Sequence, residues 1–529
     1  MSNEIEFLSH QAVRGRMSRR DFLGRAAALG LTAAFANSLL GSAARAAGPI
    51  KGGLLKAGLV GGDSTDDLNP AGINNQVRGA FTRCWGEKLT DVAPDGSLIP
   101  WLAEDYGSSP DAKTWTFKIR KGVTFHNGKE LDANDVLATI ERHAGPESKS
   151  GALGVLRGID TLKVDGGNFV ITLKEANADL PFVMSDYHLV IQPNGGKDDP
   201  LAGIGTGPYK VVAHEPGVRE VGERYDGYWD LASRGHADQV EIVVINDATA
   251  RMASLQSGQI HMMNRVEPKV VELIKRIPGV TIQNVAGSAH YVLAAQCNTA
   301  PFDNNDLRLA LKYAIDRQEM VDKILSGYGS LGNDIPVNAA YPLFSDDIEQ
   351  RAFDPDKAAF HFKKSGHSDP ILLRTSDVAF PGAVDAAQLF QQSAAKAGIP
   401  IEIRREPGDG YWSSVWNKAP FSASYWTGRP TQDQQYSTAY LSTADWNETR
   451  FFRPDFDKLL IAARAELDEA KRRAMYRDMA MIVRDEGGAI IPVFNDWIDA
   501  VSEKIGGFTP HPAGELMGGL ALASCWLAE

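Results

Sequence analysis

The chain has 529 residues, 43% of them hydrophobic and 23% charged, with 51 Gly and 27 Pro dispersed along it. That describes a loop-rich globular protein too long for one hydrophobic core, and it excludes a disordered or fibrous chain. A formal net charge of −12 without runs of like charge argues against a nucleic-acid partner.

At the N-terminus, Arg19 and Arg20 precede a small-residue apolar run over 26–40, and Ala44-Arg45-Ala46 supplies the small residues of a signal-peptidase site. The pattern resembles a twin-arginine export signal cleaved after Ala46. The apolar run is shorter than the about 20 residues a membrane span needs. No other segment is apolar enough to span, so the mature chain is expected in the periplasm. Cys84, Cys297 and Cys525 fit no metal-ligand spacing; they leave room for one disulfide and an odd thiol.

Residues 53–60 predict a first strand, and Gly61-Gly62-Asp63 after it is either a backbone approach to a ligand or an ordinary turn. Alternation over 115–120 predicts a half-buried strand, continued over 123–125 into a hairpin at Asn127-Gly128. Asp132 is expected to cap a helix that carries Val136, Leu137 and Ile140 on one side and ends at Gly145. A hairpin follows over 159–173 around Asp165-Gly166-Gly167, then strands at 210–213 and 240–245 and a helix over 248–257. A strand is placed at 291–296, with Asn305 and Asp316 as caps of the next two helices, the second in a capping-box pattern with Glu319. Pro454 opens a helical hairpin, and 490–494 returns as a strand. Such alternation describes an α/β protein.

Residues 411–449 hold Tyr411, Trp412, Trp416, Tyr425, Trp426, Tyr436, Tyr440 and Trp446, interleaved with Gly428-Arg429-Pro430 and Asp433-Gln434-Gln435. No single period runs through the segment, which reads as an irregular aromatic loop. It serves either as a ligand wall or as core packing. A secreted hydrolase is the rival class, but the chain has no Gly-x-Ser-x-Gly elbow and no His-Glu-x-x-His. Residues 122–129 mimic a phosphate-binding loop with one residue too many, and Glu130 stands where Ser or Thr is required. The His residues are scattered, with His290 read as structural, and Asp66-Asp67 and Asp198-Asp199 are read as solvated faces.

Taken in order, residues 115–128, 132–136, Gly205-Thr206-Gly207-Pro208-Tyr209, Asn298 with Pro301-Phe302-Asp303, 311–317 and 490–494 resemble the extracytoplasmic solute-binding proteins of ABC importers, family 5, the dipeptide- and oligopeptide-binding type. The resemblance implies an α/β, two-lobed, hinged periplasmic-binding-protein fold with an extra subdomain in the N-terminal lobe. Lobe 1 would comprise 47–100, 205–288 and 495–529, with the extra subdomain at 101–204. Lobe 2 would span 289–494 and carry the aromatic segment, and chain crossings near Tyr291 and Phe494 would form the hinge. It further implies a monomer without cofactor or metal, a binder and not an enzyme, that delivers a solute to a permease and ATPase complex in the inner membrane. The expected ligand-binding residues are Trp426, Arg429, Tyr425, Trp412, Trp446, Asp433, Gly62, Asp63, Tyr291 and Asn495. Peptide-binding relatives place an aspartate for the peptide ammonium three residues after the Trp matching Trp426. Here that position is Arg429, whose planar fork suits a carboxylate or phosphate. The reversal favours a peptide-like or opine-like anionic conjugate of an amino acid or sugar. A true di- or oligopeptide ligand is the alternative, with Asp433 or another acid restoring the amine site; for Arg429 the rival role is a salt bridge at the rim.

Overall fold

The computed structural model describes residues 48–408 and 411–528, together with Met17, Phe22 and Arg25. The export segment and its cleavage point at Ala46 otherwise lie outside the described residues. Strand β1 (Leu54–Leu59) pairs in parallel with β2 (Gln239–Val244) on one side and with Met262–Met263 on the other. Strands β3 (Val280–Ala295) and β5 (Ala489–Ser502) run antiparallel along each other. At one end β5 pairs with Met262–Met263; at the other, β3 takes β4 (Phe421–Trp426) as its neighbour. One continuous sheet results, in the order Ile401–Arg405, Ile371–Thr375, β4, β3, β5, Met262–Met263, β1, β2, Arg219–Arg224, Tyr209–Glu215.

The two halves of this sheet bury different cores. Leu55, Ala57, Phe81, Trp85, Val240, Ile242 and Met262 pack together at one end, and Leu293, Leu307, Leu311, Leu373, Phe390 and Ile490 at the other. The molecule therefore forms two lobes, joined by β3 and β5. Between them the β3–β5 ladder is interrupted from Ala286 to His290, so that residues 287–289 form a bulge. A bulge bends its strand and concentrates twist, the local geometry a hinge needs.

A smaller four-stranded sheet, in the order Ala103–Ser108, Thr114–Ile119, Asn168–Leu173, Ile159–Asp165, packs on helix α1 (Ala133–Ala144) around Phe117, Phe125, Val136, Ile140 and Phe169. The Asp132 side chain caps α1 in a reciprocal box with Asp135. The expected hairpin at Asn127-Gly128 is only a turn, with a single Thr124–Glu130 bridge in place of a strand.

Several local expectations need correction. The segment 411–449 is not one loop: it contains the helix Tyr411–Ser414, the core strand β4 and helix α2 (Gln432–Ala439). Its strand was hidden because Ser422, Ala423 and Ser424, though buried, carry little apolar signal. Asn304, not Asn305, caps the helix Asn305–Ala314. Asp66 is not solvated: it is buried, accepting from the Asp63 amide at 2.9 Å and from Asn75 Nδ2 at 2.7 Å. Cys84, Cys297 and Cys525 are all free thiols.

Candidate functional site

The site is built where β4 leaves the sheet beside the bulge. Tyr425 lies directly opposite Tyr291 on β3, and Trp426 opposite His290. Directly opposed residues share a face, so the two tyrosines stand together on one side. Tyr291 is buried and stacks on Phe380, with centroids 4.0 Å apart and planes at 9°. The Tyr425 hydroxyl reaches the guanidinium of Arg265 in the other lobe. Arg265 sits at φ 47, in the left-handed region, with a side chain 37% exposed whose Nε donates to buried Glu515 at 2.7 Å.

Beyond β4, Gly428 adopts φ 84, and a Cβ there would fall 2.1 Å from Ser288 Oγ, so only glycine lets this turn pack on the bulge. Arg429 follows. Its amide donates to the Tyr341 hydroxyl at 3.0 Å, Nη1 donates to the Gly428 carbonyl at 2.8 Å, and the guanidinium lies 5.6 Å from the centre of the Trp426 ring. No carboxylate pairs with it among the described residues. The Nε1 groups of Trp426 and Trp416 donate to the two oxygens of Glu448, at 2.7 and 2.5 Å, and burial pushes that carboxyl above its ordinary range. Trp446, 45% exposed, sets its edge against Trp416 and Trp426 at 5.8 and 6.1 Å.

The small-sheet region packs against the lobe that carries Arg429. Asp179 pairs with Arg472, Ala178 donates its amide to the Arg464 carbonyl at 3.0 Å, and Arg157 lies 3.5 Å from Asp445. These contacts seat 178–189 on helices α3 (Pro454–Ala465) and α4 (Glu469–Glu486). Tyr187 packs against His188, with ring centroids 4.0 Å apart and planes tilted by 35°, and is 43% exposed, yet loss of hydration pushes its hydroxyl up to about 12. Asp186 beside it accepts from the His188 amide and Nδ1, at 2.9 and 2.7 Å, both on Oδ1. Burial would raise the Asp186 carboxyl, but His188 and the charge of Arg429 hold it down to about 2. The charge of Arg429 also bears on Tyr187.

Tyr425 and Tyr291 thus share one face of the β3–β4 pair, Trp426 turns to the opposite face against Trp446 and Glu448, and Arg429 follows in the turn beyond; the other expected residues lie elsewhere. Asp433, on α2, is buried and gives both oxygens to Arg464 Nε, at 2.9 and 3.1 Å. That pairing corrects its expected role as an amine site, because its charge is already neutralised. Gly62 is held by Val244 and Val77, and the Asp63 carboxylate folds back on Thr65 at 2.8 Å in an exposed turn, so both form an ordinary turn. Asn495 pairs in register with Gly329 and donates to the Asp496 carbonyl at 3.3 Å, beside the bulge. Trp412 lies in the helix Tyr411–Ser414, but its side chain is outside what is described. His290 is fully buried against Phe494, and burial drives its pKa down to about 4, as a structural neutral ring. Sequence reasoning missed Asp186, Tyr187 and Arg265; no local motif marks them.

Among the described residues no helix is long and apolar enough to cross a membrane, and no cluster of three or more His, Cys, Asp or Glu is suited to a metal ion. The profile of bacterial extracellular solute-binding proteins, family 5 Middle, matches residues 97–448. The dipeptide-binding protein of Escherichia coli (strain K12) is 25% identical over 457 residues, 79% of this chain and 85% of that protein. The structure of the periplasmic binding protein DppA from Helicobacter pylori, in complex with peptide STSA, superposes with a TM-score of 0.78 at 20% identity, covering 91% of this chain and 99% of that one. That of AgaA from A. tumefaciens R10, in complex with agropinic acid, gives 0.77 at 23% identity, over 90% and 99%. The fold is that of the two-lobed periplasmic binding proteins.

Proposed function

Because this chain belongs to the bacterial extracellular solute-binding proteins of family 5, we propose that it captures an anionic peptide-like or opine-like solute between its lobes, with Arg429 as the anchor of the anionic group. It is the substrate-binding component of an ABC importer, an extracytoplasmic binder and not an enzyme, working with a membrane permease and its ATPase. The observation that carries the ligand reading is the Arg429 guanidinium, half-buried over Trp426 with only its own Gly428 carbonyl as a bonded partner. It makes no ion pair among the described residues, though the Asp186 carboxylate lies within its field, so its fork is open to a carboxylate or phosphate of the solute. On closure it would be further desolvated, where a bidentate pair with a carboxylate or phosphate is strongest.

In this reading 47–100, 205–288 and 495–529 form lobe 1, 101–204 its extra subdomain and 289–494 lobe 2, hinged at the 287–289 bulge and its partner residues 494–495. Solute that binds the closed form better shifts the population toward it, and the permease reads that shape. The protein acts as a monomer. It is exported by the twin-arginine route and cleaved after Ala46, so Arg19→Lys with Arg20→Lys should stop secretion; unchanged secretion refutes the route.

The ligand reading is tested by native mass spectrometry of the protein purified from its own host, followed by calorimetric titration of the retained solute. Arg429→Ala should weaken binding by about 2–5 kcal/mol, and Arg429→Lys by part of that. An unchanged Kd, or a retained solute with no anionic group, refutes the anchor. A lower apo melting temperature with normal affinity would return Arg429 to a structural role.

A further inference from the structure

We infer that Asn338 and Tyr341 are positioning residues for solute capture: the turn they bracket ties the turn presenting Arg429 to the hinge bulge, so that a shift at either end is felt at the other. The inference rests on the hinge and the anchor proposed above and adds the connection between them.

Residues 287–289 are buried, yet none has a register partner on β5 or on β4. A buried carbonyl that the ladder leaves out needs a donor from elsewhere. For Gly287 that donor is Asn338, whose Nδ2 reaches its oxygen at 2.8 Å. By the lobe boundaries above, this bond joins lobe 2 to the end of a lobe 1 segment. From the other side the bulge lies on Trp497 of β5. A Cβ at position 287 would fall 2.5 Å from the indole Nε1, which itself donates to the Pro512 carbonyl at 2.9 Å. Gly287 is thus held between a side chain of each lobe.

Asn338 opens a turn that its own side chain sets. Oδ1 accepts from the Ala340 amide at 3.1 Å, and the Asn338 carbonyl accepts from the Tyr341 amide at 3.0 Å. An Asx turn of this kind fixes side chain and backbone together. Tyr341 then enters the core that Val337 shares with Val292 and Trp426. It is 3% exposed, and its hydroxyl is used in both directions: it accepts from the Arg429 amide at 3.0 Å and donates to Gln435 Oε1 at 3.3 Å. The Pro342 carbonyl, next in the chain, accepts from Gln432 Nε2 at 2.9 Å. One turn therefore holds the bulge at its start and the segment 429–435 at its end. Gly428 closes the circuit by packing directly on Ser288, the neighbour of Gly287.

A hinge that bends at 287–289 redirects the Gly287 carbonyl, so Asn338 must either follow it or let go. Solute that seats Arg429 steadies Tyr341, and through Tyr341 the donor to the bulge. The preference for the closed form that capture requires then has a contiguous physical path.

The test uses the whole mature protein without added ligand, read by hydrogen exchange of the segments 284–292 and 426–432 and by small-angle scattering. Asn338→Asp keeps the oxygen that sets the turn and removes the donor to Gly287; Tyr341→Phe keeps the ring and removes the hydroxyl. Each should raise exchange by about 10-fold in both segments, the scale for a buried bond left unmade, and the double variant should gain no more than the stronger single one. Both should also enlarge the radius of gyration. Exchange that rises only beside each substitution, or single effects that add in the double variant, overturns the coupling even where melting temperatures fall. Segments that respond together at an unchanged radius would uphold the coupling and count against the hinge. A larger radius with segments that respond separately would uphold the hinge and overturn the coupling. Should Tyr341→Phe fail to fold, Asn338→Asp decides alone, through the exchange of 426–432.

Discussion

The contact between Asp179 and Arg472 is the firmest tie between the small-sheet region and the far lobe, and removing it should shift the protein toward an open form. Arg472 Nη1 donates to Asp179 Oδ1 at 2.9 Å and Nη2 to Oδ2 at 2.5 Å, and the side chains are only 10% and 8% exposed. Nε donates to the Ala463 carbonyl at 2.9 Å, and Nη2 reaches the Tyr476 hydroxyl at 3.0 Å. Asp179→Asn keeps the shape but leaves Arg472 buried without its carboxylate, a loss on the scale of about 3–5 kcal/mol. Asp433 nearby still lowers the potential at Arg472, so the low end applies. In an open form both groups would be hydrated and the substitution nearly neutral. At about 3 kcal/mol, the closed-to-open ratio falls by roughly 100-fold. Small-angle scattering should show a larger radius for the unliganded variant, and solute release should quicken more than capture slows. Added salt should matter little, because the pair is screened poorly where it sits. An unchanged radius and dissociation rate, with only a lower melting temperature, would refute the reasoning. The pair would then weld the small-sheet region to the far lobe, and the two would move as one.

Other outcomes follow from single contacts. Gly428→Ala drives a Cβ into Ser288 at an unfavourable φ and should cost about 1–3 kcal/mol in thermal unfolding, with weaker solute binding; unchanged melting and affinity would contradict the packing. Burial drives His126, His143 and His290 down to about 4, 3 and 4, so below their unfolded value of about 6.5 the unfolded chain takes up protons first. Urea midpoints should therefore fall as pH drops from about 6.5 toward 4, and a flat profile there refutes the neutral assignment. Asp499 has the opposite sign: burial and Glu515 raise its carboxyl well above the ordinary range, so it favours the fold as pH falls, and Asp499→Asn should steepen the acid loss.

How much of this was legible in the sequence depended on the range of the signal. The Asp132 cap and the hairpin at Asp165-Gly166-Gly167 are written within a few neighbouring residues, and both stand where they were read. The long strands were half legible. Residues 490–494 are uniformly apolar, whereas 280–286 are half-buried at most and carry Thr281, Gln283 and Asn284, so their pairing with 496–502 had no local mark. At the site, Trp426, Tyr425 and Arg429 were found because a family pattern points at them. Asp186 and Asp433 looked alike, each an acid with a Tyr within a few residues. What separates them is the partner: Asp433 has Arg464 across both oxygens, and Asp186 has His188 on one oxygen only. That choice is made by residues brought together through the tertiary fold, the one thing composition and spacing do not encode.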